Sequence, residues 1–391
     1  MCAGPNGDAV KALAQEPTTR KAEAFAADIA ARVADVAIDV PERLALAQDV
    51  TAAITLKVAT IESALIRDAT LHGALLQACS DKKSPEVGEA ALEALLALAK
   101  STNDFVAGEL VPSVLNALDP KERWQTQVAA AKTLTKLSAC APQVTSSLLT
   151  TILPVVTSMV NDAKQEVADA AREALSALCH TIDNRDVEPF IDSMVAATVD
   201  HEQTDECVQK LASTTFVQTV TAAPLALISP ILLLGFRSRA TATKRLSAVI
   251  VNNMSKLVED PEDAAPFLPN LMPAVEKASD QISDPEARAV CGKAFEQLKS
   301  IDDRLKDASF KSRRADFAAV KAVVAKHLAS APVDETLFDY YAIIVCAAVN
   351  AKCQDYDFEE AFKAASKSTI DIKTVRALYA DIEKMYGDEE Q

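Results

Sequence analysis

Apolar residues recur every three or four positions along most of this chain, the spacing that lines one face of an α-helix. Val167, Ala171, Ala174, Leu175 and Leu178 form one such stripe. Leu246, Val249, Ile250, Met254 and Leu257 form another, with Asn253 on the same face. Each stripe is wide enough to bury one side of a helix against its neighbours. No sustained period-two alternation of β-branched residues is present, so strands find no support. A second, longer rhythm lies over the first. Five short apolar segments carry a proline: Leu110-Val111-Pro112, Ile152-Leu153-Pro154, Val187-Glu188-Pro189, Ile228-Ser229-Pro230 and Phe267-Leu268-Pro269. Their prolines lie 42, 35, 41 and 39 residues apart.

A period near forty in an all-helical sequence marks a HEAT- or armadillo-type α-solenoid, in which each two-helix unit stacks on its neighbours. Function in such a fold is expected on a face and not in a pocket. Helix pairs are predicted over 105–140, 143–182, 186–221, 223–258 and 262–301, with earlier units over 42–80 and 84–118. Asp119-Pro120, Asn161-Asp162, Asp183-Asn184, Asp260-Pro261 and Asp284-Pro285 mark turns whose Asp or Asn can cap the next helix. Two readings of the recurrent prolines stand. Each kinks a first helix at its interior, which costs ~3 kcal/mol unless packing offsets it, or each occupies the first helical turn, where it is cheap. The apolar residues before Pro112 and Pro154 favour the kink.

The predicted organisation is an N-terminal helical segment over 1–36, the solenoid over 37–301, a charged linker over 302–315 and a small helical bundle over 316–391. Four short helices are predicted in the bundle, over 316–330, 334–350, 356–367 and 370–386.

Composition narrows the function. Only eight glycines and 5% aromatics suit a helical array better than a loop-rich fold. The formal charge of −16 disfavours general nucleic-acid binding, so any RNA contact needs a local basic patch. The eight cysteines form no CxxC pair and read as buried thiols, and the four histidines lack zinc-ligand spacing. Leu211 to Phe236 carries no charge but holds several threonines and two prolines, which predicts two buried antiparallel helices in place of a membrane span. No secretory signal pattern opens the chain, so the cytoplasm is the expected compartment.

Catalytic signatures are missing. Gly4-Pro5-Asn6-Gly7-Asp8-Ala9-Val10-Lys11 fails the spacing of a phosphate-binding loop, and Gly292-Lys293 has Ala287 and Ala294 where that loop needs Gly and Ser or Thr. The expectation is a chain that is not an enzyme, with no cofactor, no small-molecule substrate and no membrane partner. One stretch departs from the acidic background. Ile231 to Val258 holds Arg237, Arg239, Lys244, Arg245 and Lys256 without any Asp or Glu. Arg237 and Arg239 fall in a predicted turn that can present guanidinium groups to phosphate or carboxylate; the alternative is a solubilising edge, or pairing with acids such as Glu259 and Asp260. The only tryptophan, Trp124, follows Arg123 at a helix junction. It is either an exposed anchor for a protein partner or a buried seal between repeats.

Several of these stretches resemble the HEAT region of translation elongation factor 3. They are Lys244 to Pro261 (Lys-Arg-Leu-Ser-Ala-Val-Ile-Val-Asn-Asn-Met-Ser-Lys-Leu-Val-Glu-Asp-Pro) continuing to Leu268, Asp183-Asn184-Arg185-Asp186 with Val187 to Ile191, Thr214-Thr215-Phe216-Val217, Arg123-Trp124-Gln125, and Asp284-Pro285-Glu286-Ala287-Arg288. The resemblance runs from about residue 40 to 301, is strongest over 183–290, and continues weakly into 316–391. It implies a cytosolic, ribosome-associated factor of translation elongation, linked to release of deacylated tRNA. Its HEAT region would lie mainly against the small subunit, meeting rRNA and ribosomal proteins. In that family ATP hydrolysis resides in two cassettes downstream of the bundle. This chain stops at Gln391, close to where the first would begin, which implies a piece of a longer factor or a shortened protein without ATP turnover. The activator of the amino-acid starvation kinase shares a related segment, so an adaptor of that type, or a tubulin-binding array, is the alternative. Five cations meeting phosphate would give a slope of log affinity against log salt of about −4.

Overall fold

The structure is a computed structural model that describes residues 7–101, 104–307, 316–329, 337–350 and 372–386. These residues form helices, and no strand occurs among them. In chain order they are α1 (Gly7–Gln15), α2 (Thr19–Arg32), α3 (Val40–Thr55), α4 (Ala59–Arg67), α5 (Ala69–Ala78), α6 (Pro85–Ala99), α7 (Val111–Ala117), α8 (Trp124–Cys140), α9 (Pro142–Ser147), α10 (Leu149–Met159) and α11 (Gln165–Cys179). There follow α12 (Ile191–Val199), α13 (Thr204–Ala212), α14 (Ala222–Arg237), α15 (Thr241–Ser255), α16 (Pro261–Ala264), α17 (Leu268–Gln281), α18 (Pro285–Lys306), α19 (Phe317–Leu328), α20 (Leu337–Asn350) and α21 (Ile372–Tyr386).

The chain divides into two compact units, one of Met1–Thr145, Ala163–Ala170 and Arg314–Gln391, the other of Ser146–Asp162 and Ala171–Arg313. In each unit the repeat helices form two layers. In the first unit α2, α5 and α7 pack in succession, and α3, α6 and α8 form the layer beside them. In the second, α12, α14 and α17 form one layer, and α13, α15 and α18 the other. Consecutive helices of a pair, α14 with α15 and α17 with α18, join the layers. This is an all-α HEAT-type solenoid, and its period is visible in its bonds. Arg123 Nη1 bonds the Ser80 carbonyl, 43 residues back; Asn161 Nδ2 bonds the Val199 carbonyl, 38 residues on; Thr219 Oγ1 donates to Glu259 Oε1, 40 residues on. Each bond reaches one repeat along the chain.

Two of the three Asp-Pro turns cap the next helix; Asp119 instead accepts from Lys121 N at 2.8 Å within its turn, and α8 opens at Arg123 without a side-chain cap. Asp260 accepts from Glu262 N at 2.9 Å and opens α16, and Asp284 accepts from Glu286 N at 3.0 Å and opens α18. The prolines divide between the two readings. Pro154 and Pro230 lie inside α10 and α14. Pro112 and Pro269 lie in the first turns of α7 and α17, and Pro189 lies in a 3-10 turn ahead of α12. Pro112 therefore departs from the expected kink: Val111 begins the helix and Leu110 belongs to the preceding 3-10 turn, so the proline is the second helical residue.

Residues 211–236 also differ from expectation. Only 222–236 is one helix; α13 ends at Ala212, and 213–221 is a loop. Four threonines weaken the helix there, and tertiary bonds replace the helical ones. Asp186 Oδ2 accepts from Val217 N and Gln218 N, both at 2.7 Å, Arg185 N donates to Gln218 Oε1, and Val220 N donates to the Leu257 carbonyl at 2.9 Å. The loop ladder continues to Arg304, whose Nη1 donates to the Val258 carbonyl at 3.1 Å.

Within 302–315, residues through Lys306 continue α18. The helices after 316 belong to the same compact unit as residues 1–145: α20 packs on α4, and Tyr340 Oη donates to Glu62 Oε2 at 3.4 Å, with both residues buried. The helix predicted over 356–367 lies outside the described residues.

One close approach depends on glycine. A Cβ added at Gly235 in α14 would sit 2.2 Å from Ser247 Oγ in α15, which donates to the Thr243 carbonyl at 2.9 Å. Rotating Ser247 away would break that buried bond. Gly235→Ala is expected to cost about 1–2 kcal/mol, measured by denaturant unfolding. An unchanged midpoint would mean the helices separate freely.

Candidate functional site

Among the described residues the cations of 231–258 sort into three groups. Arg237 ends α14 and Arg239 lies in the short connection to α15; both are exposed. The connection turns out of the helical conformation at Ser238 (ψ 151°), whose N–H still donates to the Leu234 carbonyl at 3.0 Å, and is extended at Ala240 (ψ 119°), whose carbonyl accepts from Lys244 N. Lys244, half-buried, follows in the first turns of α15. None of these three has an ion pair among the described residues. Arg245 is engaged: its Nη2 lies 2.5 Å from Glu286 Oε1 on α18. The acids expected to balance the patch are used elsewhere. Glu259 accepts from Thr219, and Asp260 caps α16. Lys256 is exposed at the other end of α15, about 18 Å from Lys244 along the axis at 1.5 Å per residue. So Arg237, Arg239 and Lys244 share the α14–α15 connection and its flanks, Arg245 follows them, and Lys256 lies at the far end of α15.

In the other unit Trp124 begins α8 and is 38% exposed. Lys164 Nζ stands 4.7 Å from its ring centroid, a cation–π contact. Arg123, the residue before Trp124, is tied to an earlier turn, its Nη1 donating to the Ser80 carbonyl at 3.3 Å and reaching Ser80 Oγ at 3.4 Å. Neither Lys164 nor Glu286 was singled out from the sequence. Each lies about one repeat beyond its partner, 40 residues after Trp124 and 41 after Arg245, which is the signal that would have found them.

The remaining chemistry is structural. Burial pushes the Cys79 and Cys179 thiols up to about 12, far from thiolate reactivity at neutral pH. Among the described residues no group of three or more His, Cys, Asp or Glu is placed to hold a metal ion, and no helix is long and apolar enough to cross a membrane.

Comparison with known proteins bears on the repeats themselves. Residues 19–175 match the family model described as EF3 N-terminal HEAT repeat, and residues 202–309 match that described as Elongation factor 3/GNC1 HEAT repeat. The chain is 35% identical over 276 residues to elongation factor 3 of Phytophthora infestans, covering 69% of this chain and 26% of that protein. It is 33% identical over 280 residues to elongation factor 3A of Saccharomyces cerevisiae, covering 70% and 26%. It thus spans about a quarter of the length of these curated relatives. Among solved structures, Kap121p bound to RanGTP aligns with a TM-score of 0.36 at 12% identity, over 97% of this chain and 36% of that chain. A designed armadillo repeat protein aligns with a TM-score of 0.27 at 15% identity, over 69% and 98%. Through residues 19–175 and 202–309, then, the chain belongs to the elongation factor 3 HEAT-repeat family.

Proposed function

We propose that this chain is the ribosome-binding HEAT scaffold of an elongation factor 3-like protein, acting in translation elongation in the cytoplasm and carrying no catalysis itself. The observation that supports it is the exposed pair Arg237 and Arg239 with half-buried Lys244 beside them in the chain, free of ion pairs among the described residues and lying within the matched stretch 202–309. An arginine that ends a helix and one on the connection after it can each reach a phosphate bidentately. On a chain of net charge −16, such a set directs RNA to one place. Its partners are small-subunit rRNA, met by these cations, and ribosomal proteins, met by helix faces.

Sedimentation of the purified chain with ribosomes tests this. Arg245 is held by Glu286 and Lys256 stands apart, so three cations meet phosphate in place of five. The slope of log affinity against log salt is then expected at about −2 to −3. Changing Arg237 and Arg239 to glutamate should abolish co-sedimentation at low salt while leaving the thermal midpoint in place. Binding that ignores both salt and these substitutions would remove the assignment.

A further inference from the structure

The second unit carries a face nearly free of charge: we propose that the outward side of α10, α12 and α14 docks an uncharged protein surface of the ribosome, which rests on the ribosome reading above and names the helix faces that meet ribosomal protein.

All three helices lie in the unit of 146–162 and 171–313, and α10 and α12 both pack on α14. Each turns one stripe to solvent. On α12 the stripe is Asp192, Val195, Ala196 and Val199, at i, i+3, i+4 and i+7, with Asp192 exposed and the others half-buried. Residues 151, 154, 155 and 158 of α10 repeat that spacing, as do 230, 233, 234 and 237 of α14. The solvent-facing stripe is ordinarily the charged side of a helix. Here it holds Val155 on α10 and Pro230, Leu233 and Leu234 on α14. Within these helices only Asp192 and Arg237 carry charge, in a chain that is 25% charged. Both stand at the margin. Asp192 is in the first turn of α12, its Oδ1 3.4 Å from His180 Nε2, and Arg237 is the last residue of α14. The opposite layer differs: α13 exposes Asp205, Glu206, Gln209 and Lys210.

Composition and position select the occupant. Depletion of charge marks the core of a protein–protein contact, with polar groups at its rim. Acids do return in the connections at the helix ends, at Asp162, Glu188, Asp200 and Glu202. RNA finds no cation on the face except Arg237 at one end, so phosphates laid across it would lose water without a partner. A charged peptide meets the same cost. An uncharged protein surface does not, and covering the valines and leucines favours it. Leu233 and Leu234 stand one turn before Arg237 on the same helix. Along α14 the face is therefore continuous with the residue assigned to rRNA phosphate. A protein surface that meets it lies beside rRNA, which makes it a ribosomal protein.

Two pairs of substitutions distinguish the occupants. Ser158→Glu with Ala196→Glu, and Ser158→Lys with Ala196→Lys, place charge of either sign on α10 and α12. Ser158 is exposed and its hydroxyl donates to the Val155 carbonyl of its own helix at 2.7 Å; Ala196 is half-buried. Both pairs should keep the wild-type thermal midpoint, and the Ser158 single variants serve where a pair does not. Co-sedimentation of the full chain with ribosomes is measured over a range of salt. We expect each pair to weaken binding about tenfold or more, since either charge is desolvated without a partner. The slope of log affinity against log salt should stay at its wild-type value, because the phosphate contacts are untouched. A wild type that does not sediment with ribosomes removes the ribosome assignment and this proposal with it. Where the wild type binds, any pattern other than weakening by both pairs overturns the proposal alone. Undiminished binding leaves the face uncovered, tighter binding by the Lys pair assigns it to RNA, and tighter binding by the Glu pair assigns it to a basic partner.

Discussion

Arg43→Ala is expected to destabilise the unit containing α3 by about 3–5 kcal/mol, the cost of stranding a buried charge. Arg43 and Asp81 have side chains only 3% and 6% exposed and meet at 2.6 Å. Arg43 Nε also donates to the Val33 carbonyl at 2.9 Å, so one guanidinium joins the end of α2, α3 and the turn before α6. Burial by itself would raise the Asp81 carboxyl. The hydrogen bond and charge of Arg43, with the Lys83 and Ser84 backbone amides, outweigh it and hold the group below the usual carboxylate range. A carboxyl depressed in the folded state stabilises above its unfolded pKa and loses that contribution as pH falls through the folded value. The Arg43→Ala deficit should therefore be largest at neutral pH and shrink in acid. Denaturant unfolding of wild type, Arg43→Leu, Asp81→Leu and the Arg43→Leu/Asp81→Leu double variant gives the coupling. A double variant as unstable as the singles would show that shape, and not charge, makes the contact.

Asp49→Asn should act in the opposite direction. Asp49 lies in α3, is 5% exposed, and its Oδ2 has no hydrogen-bond partner among the described residues. Burial pushes its carboxyl up to about 6. With a folded pKa above the unfolded value near 3.8, the native state binds the proton more tightly, so stability falls as pH rises from about 4 to 6 and stays reduced above that. Two pKa units correspond to about 3 kcal/mol. The neutral amide should thus stabilise the protein by about 2–3 kcal/mol at pH 7.5, a gain that fades toward zero near pH 4. Equilibrium unfolding at several pH values measures it. A gain that did not vary with pH, or a loss at neutral pH, would refute an ionised, unpartnered carboxylate there.

The repeats were legible because one rule generates them. Apolar stripes at helical spacing placed α11 and α15, and Asp before Pro marked the starts of α16 and α18. The site was legible only in part. Charge alone located Arg237, Arg239 and Lys244, yet it could not separate them from Arg245, whose partner Glu286 lies on the next repeat. Reading forward by one period from each polar residue would have connected Arg43 with Asp81, Trp124 with Lys164 and Thr219 with Glu259. Loop 213–221 escaped for another reason: its conformation is set by Asp186 and Leu257, and no local pattern encodes bonds made by distant residues. The buried meeting of Glu62 and Tyr340, 278 residues apart, follows no period at all.

That last contact sets a timetable for synthesis. A ribosome adding about 5–20 residues per second needs roughly 15–60 s to travel from Glu62 to Tyr340. Through that interval α20, one of the neighbours of α4, does not yet exist, and the Tyr340 hydroxyl that donates to Glu62 has still to be made. One flank of α4 is therefore completed only when a late part of the message has been read.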